Sequence, residues 1–219
     1  MRKSFIVIGL GRFGANVATT LEQMNCDVLA VDINEESVTE VAKNVHQAVI
    51  ADASKFDVLK SLGAGSIDHA VVAIGNNLQS SILSVVNLKK LGVKKITVRV
   101  DEPSHKEVLK LIGATDVILP EEESAISLAN EIISDSILDY YPMSADFAIV
   151  KLAIGPSFKP RSLEELSIRN KFDVNIVGII DDDGEFFIPK GTDMLKPGYV
   201  VAVIGKKPQL RKLNDFLND

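Results

Sequence analysis

The chain has 219 residues, 46% hydrophobic and 25% charged, with a net charge of −6, one cysteine and no tryptophan. That is one large domain or two small ones with ample apolar content, which excludes a disordered chain. A lone Cys26 excludes a disulfide scaffold, and negative charge without an aromatic-laced basic patch disfavours nucleic acid as a partner.

Arg2 and Lys3 open the chain, but the apolar run 5–10 is short and stops before Arg12, unlike a secretory signal. Positions 5–10 predict a buried strand and 13–24 a helix. A second strand at 27–32 precedes a helix at 35–44, and a third at 47–52 leads into helical KFDVLKSLG. The uncharged stretch 69–88 has membrane length. It also holds Asn76, Asn77, Gln79, Ser80, Ser81, Ser84 and Asn87, too polar for a span, so it predicts a strand to Gly75 and then a helix. A strand at 94–100 and a helix from Pro103 to a stop at Gly113 follow, then a strand at 115–120 and a helical EEESAISLANEIIS. Six uniformly apolar strands alternating with helices predict an α/β doubly wound parallel sheet, Rossmann-like in type. Any membrane work is expected to go through a partner.

The pattern changes near Tyr140. Strands are expected at 147–154, 174–180 and 196–205, a helix at 162–172, a hairpin at DDDGE and a last helix at 208–217. The charge changes as well. Residues 1–140 hold 13 Lys and Arg against 19 Asp and Glu, whereas 141–219 hold 11 of each. The expected division is a nucleotide-binding domain at 1–138 and a small α+β regulatory domain at 139–219.

Gly9-Leu10-Gly11-Arg12-Phe13-Gly14 follows a strand and opens a helix. In that context the first glycine permits the turn, the second lets phosphate reach the backbone, and the third packs helix on strand. The helix N-terminus offers free N–H groups to an anion. Asp32, ending the second strand, suits the ribose hydroxyls, and Arg12 can meet a phosphate bidentately. Asp52 is either the border of an adenine edge or a helix N-cap, and Gly75-Asn76-Asn77 either a pocket wall or a turn.

Catalytic signals are sparse. His46, His69 and His105 all lie in the first two thirds, and residues 141–219 contain neither histidine nor cysteine. No Ser-His-Asp order or metal-spaced Cys/His pair appears, so the expectation is a non-enzymatic nucleotide sensor, with an NAD(H)-dependent oxidoreductase as the alternative.

GLGRFG at 9–14, AVDIN at 30–34, AVIADAS at 48–54, VVAIGNNLQSS at 71–81, VRV at 98–100, VLKLIGATDVILPE at 108–121 and SIRNKFDVNIVGI at 167–179 together resemble the RCK family. Its members of TrkA/KtrA type are cytosolic regulatory subunits of bacterial potassium-uptake systems. The resemblance spans essentially the whole chain. It implies ATP or ADP (alternatively NAD(H)) held by Gly9, Gly11, Arg12, Phe13 and Gly14, with Asp32 and Ile33 at the ribose and Asp52 and Ala53 at the adenine. Ile74, Gly75, Asn77, Gln79 and Arg99 would complete the pocket, and Glu121 would join a divalent-cation site at a subunit interface. Thr115, Asp116, Leu119 and Ser124-Ala125 depart from the family pattern.

The resemblance also implies a membrane potassium-translocating partner of TrkH/KtrB type, an octameric ring of dimers, and a cytoplasmic place at the inner face of the membrane. It points to cyclic di-AMP at the C-terminal domain, where Arg169 would meet a phosphate, Asn175 an adenine edge, and Ile168, Ile176 and Pro189 would wall the bases. A two-fold interface would supply that set twice, as a two-fold cyclic dinucleotide requires.

Overall fold

The computed structural model describes residues 2–75, 77–133 and 135–219. The chain divides into two compact units, Met1–Glu121 and Glu122–Asp219. The first alternates strand and helix: β1 (Ser4–Ile8), α1 (Arg12–Gln23), β2 (Asp27–Asp32), α2 (Glu35–Val41), β3 (Gln47–Ile50), α3 (Phe56–Ser61) with a short 3-10 turn at Ala64–Ser66, β4 (His69–Val72), α4 (Leu78–Lys90), β5 (Lys95–Arg99), α5 (His105–Ile112) and β6 (Asp116–Ile118). The α6 helix (Pro120–Ile132) starts in this unit and runs into the next.

All six strands pair in parallel, in the order β3-β2-β1-β4-β5-β6. Alternate residues feed two cores. Ile6 and Ile8 of β1 pack with Leu59, Leu88, Ile96 and Leu109, whereas Val7 packs with Ala18, Ala30, Val38 and Val41. A strand apolar on both faces is therefore the mark of a sheet covered on both sides, and the doubly wound expectation holds.

The second unit continues with β7 (Ile137–Pro142), β8 (Phe147–Ala153), β9 (Arg161–Ser162), α7 (Leu163–Leu166), α8 (Ile168–Phe172), β10 (Val174–Ile180), β11 (Phe186–Phe187), β12 (Met194–Leu195), β13 (Val200–Lys206) and α9 (Lys207–Asn218). Five strands form an antiparallel sheet, β11-β10-β13-β8-β7, and β12 pairs with β9. Its core gathers Val150, Leu152, Leu166, Ile179, Leu195, Leu213 and Leu217.

Here the sequence reading missed several features. The β7 strand escaped it because LDYYP lacks a clean alternation, and the expected junction at 138/139 falls inside this strand. The helix expected over 162–172 is two short helices, broken at Ser167 with φ +49°. Among the described residues no helix is long and apolar enough to cross a membrane.

Candidate functional site

The strand order reverses between β1 and β4. Loops leaving those strands part in opposite directions, and a crevice opens at the carboxyl ends. A cavity of about 1090 Å³ lies there. Gly9, Gly11, Arg12 and Phe13 line it from the β1–α1 loop, Asp32 and Ile33 from the end of β2, and Asp52 and Ala53 from the end of β3. Ile74, Gly75 and Asn77 close it after β4, with Arg99 and Glu121 beyond. Two predicted residues stand apart. Gly14 sits beneath the loop, and Gln79 is exposed on the first turn of α4, neither being on the wall. Asn76 lies outside the described residues.

The three glycines of the loop have separate reasons. Gly9 has φ +91°, and a Cβ there would come 2.8 Å from the Ala73 carbonyl. A Cβ on Gly14 would come 1.8 Å from the Gly9 carbonyl oxygen, so glycine is what lets α1 pack on its own entry strand. At Gly11 a Cβ would meet nothing within 4 Å among the described residues. Protein packing does not require glycine there; space for an incoming group does. No side chain caps the N-terminus of α1, and its first turn carries no acid. Exposed Arg12 adds a full positive charge to those free N–H groups.

Asp32 accepts hydrogen bonds from the Leu10 N–H on one oxygen and from the Asn34 N–H, 2.8 Å away, on the other. Each oxygen keeps a lone pair for a ribose hydroxyl. Asp52 accepts from the Ser54 hydroxyl at 2.6 Å and the Ser54 N–H at 3.1 Å. The Ser54 hydroxyl chiefly, against some burial and with help from Lys55, holds its carboxyl below the usual carboxylate range.

The Arg99 side chain is only 16% exposed. Its Nη2 lies 2.6 Å from Asp101 and 2.7 Å from Glu121, while its Nε is buried without a partner among the described residues. That hydrogen bond from Arg99 depresses the Glu121 carboxyl, and the charge of Arg12 adds to the effect. Among the described residues no three His, Cys, Asp or Glu converge on one point. With a guanidinium between its two carboxylates, the Arg99 cluster does not fit a metal ion held by one chain alone.

In the second unit, Ile168 is a core residue at 4% exposure, packed with the sheet. Arg169 and Asn175 are exposed, and Ile176 and Pro189 are half-buried. Arg169 and Ile168 share α8, and Asn175 and Ile176 open β10, so the turn at Asp173, φ +54°, joins the two pairs.

The TrkA-N domain family matches residues 5–120, and the TrkA-C domain family matches 147–218. This chain belongs to the TrkA/KtrA family. It is 39% identical to the Ktr system potassium uptake protein C of Bacillus subtilis, over 94% of this chain and 93% of that protein. It is 33% identical to the Ktr system potassium uptake protein A of the same organism, over 97% and 96%. In structure it resembles the RCK domain of GsuK, with TM-score 0.67 and 18% identity, covering all of this chain but 48% of that one. The GsuK channel bound to NAD is similar, with TM-score 0.67 and 17% identity, over 40% of that chain. The chain thus spans half or less of those GsuK chains, and the likeness establishes the fold.

With the TrkA fold in place, several wall residues emerge that sequence reasoning passed over. Asn16, Asn34, Ser54 and Ser80 all line the cavity. Asn34 was findable, since it caps α2 by accepting from the Ser37 N–H. Asn16, one turn into α1, carries no local signal.

Proposed function

We propose that the chain is a nucleotide-sensing regulatory subunit of a potassium-uptake system, that it catalyses no reaction, and that ATP and ADP bind in the cavity at the carboxyl end of the parallel sheet. The observation that carries this reading is the cavity itself: an uncapped helix N-terminus with Arg12 beside open space at Gly11, and Asp32 across from it. The TrkA-N and TrkA-C domain matches, with relatives named as potassium uptake proteins, support a binding role rather than turnover. In this reading the protein works from the cytoplasm, docked as a homo-oligomeric ring, expected to be an octamer, on a membrane potassium-translocating subunit. ATP and ADP favour different ring shapes, because a ligand shifts only an equilibrium whose states it binds unequally. A cation at Glu121 would need further donors from nucleotide phosphates or a second copy. Cyclic di-AMP is the second proposed ligand, at Arg169, Asn175, Ile176 and Pro189 in a paired C-terminal unit, with Ile168 behind them as core.

NAD(H) is the second reading, favoured by the GsuK channel bound to NAD. Isothermal titration of the full chain with ATP, ADP, AMP, NADH and NAD separates them. ATP and ADP are expected to bind, with Arg12→Ala losing about tenfold or more for ATP and little for AMP. Binding of NADH alone would overturn the ATP reading.

A further inference from the structure

The α4 helix, uncharged until Lys89, carries three buried polar side chains, Ser81, Ser84 and Asn87. Ser84 serves its own helix, donating to the Ser80 carbonyl at 2.8 Å. The other two reach outward to the cavity loops. The Ser81 hydroxyl donates to the Ile74 carbonyl, 3.1 Å away, on the loop after β4. The Asn87 amide donates to the Ser54 carbonyl, 2.8 Å away, on the loop after β3.

Ser54 is itself the residue that grips Asp52, through both its hydroxyl and its N–H. A chain of hydrogen bonds therefore runs from Asn87 through Ser54 to a carboxylate on the cavity wall. Asn87 is 7% exposed, and its neighbours Val85 and Leu88 are fully buried. An apolar residue at 87 would fill the same space without needing a partner, so the amide is there for the bond it makes. On Asp52, Oδ1 is taken by Ser54, whereas among the described residues Oδ2 meets only the Lys55 ammonium at 3.4 Å, itself 69% exposed. Oδ2 keeps lone pairs for a donor entering the cavity.

We propose that Asn87 is a positioning residue for base selection: by fixing Ser54 it holds Asp52 where the carboxylate accepts the exocyclic amine of an adenine. A 6-oxopurine would instead present a carbonyl oxygen to that carboxylate, two acceptors face to face, and is rejected. This inference rests on the nucleotide reading above and assigns its adenine preference to a helix residue that does not line the cavity.

The test is isothermal titration of the full chain with ATP, inosine triphosphate and AMP, for wild type, Asn87→Leu and Ser54→Ala, with folding followed by thermal melting. Wild type is expected to favour ATP over inosine triphosphate by about tenfold or more, the worth of a hydrogen bond to a charged acceptor. In both variants that ratio should fall to within about twofold of unity, while the ATP-to-AMP ratio, set at the Arg12 end, stays as in wild type. A folded variant of either kind that keeps the wild-type base ratio overturns the inference, as does an equal loss for both triphosphates. Ser54→Ala changes a half-buried loop residue and keeps the test decisive if Asn87→Leu does not fold. A wild type that binds both triphosphates equally sinks the base reading and leaves the nucleotide site standing. A wild type that binds neither sinks both.

Discussion

In the first unit the turn at the cavity is built by glycine, whereas in the second the turns around α8 are built by residues that resist it. Gly9 at φ +91° lies where a Cβ would strike Ala73, and a Cβ on Gly14 would strike the backbone of Gly9. Around α8, by contrast, Ser167 and Asp173 hold φ +49° and +54° with side chains in place, which costs of order 1 kcal/mol for each residue. A glycine motif can be read from sequence because each glycine answers to a nearby backbone atom. A left-handed serine gives no such signal, so the break between α7 and α8 was invisible. The phosphate loop is thus enforced by sterics, whereas the C-terminal segment depends on its surrounding core.

The sharpest way to break that contrast is at Gly14. Gly14→Val should prevent α1 from packing on β1 and abolish nucleotide binding, with a loss of stability of about 3 kcal/mol or more by denaturant titration. A variant that folds and still binds ATP would show that the loop is not sterically fixed. In the second unit, Leu213 is fully buried in the core. Leu213→Ala should cost about 2–5 kcal/mol in that unit, measured by chemical denaturation, and leave ATP affinity unchanged. A parallel loss of ATP binding would mean that the units are coupled more tightly than their separate cores suggest.

A smaller effect sharpens the account of the first unit's far end. His69 at the start of β4 bonds the Thr97 hydroxyl at 2.8 Å. Burial first, and the charge of Lys95 second, push its value below the usual 6.5. The unfolded chain therefore takes up the proton first as pH falls, and the folded state loses stability below about pH 6.5. The melting temperature of wild type should drop more steeply from pH 7 to 5.5 than that of His69→Gln. Equal slopes would show that the imidazole titrates as if exposed.

What sequence could supply was local. Gly9, Gly11, Gly14 and Asp32 were legible because strand, turn and helix start follow one another within a few residues, and the doubly wound sheet followed from six apolar strands. Gly11 gained its physical reason only from the open space beside it. Arg99 came from the resemblance, but its grip on Glu121, 22 residues on, could not be read from local pattern. Asn87 counted only among the residues that make 69–88 too polar for a membrane span and remained without a role, since its partner Ser54 lies far back in the chain. The β7 strand, without a clean alternation of its own, is held by its pairing with β8, which includes Lys151 on Asp139 at 2.6 Å and which no local pattern announces.

The most direct test of the central claim is potassium flux. The full chain would be reconstituted in proteoliposomes with the membrane subunit that co-purifies with it, and flux measured with ATP, with ADP and with neither. Flux is expected to differ between ATP and ADP in wild type and to lose most of that difference in Arg12→Ala. Equal flux under all three conditions, with the complex shown to be intact, would contradict a nucleotide-gated regulator.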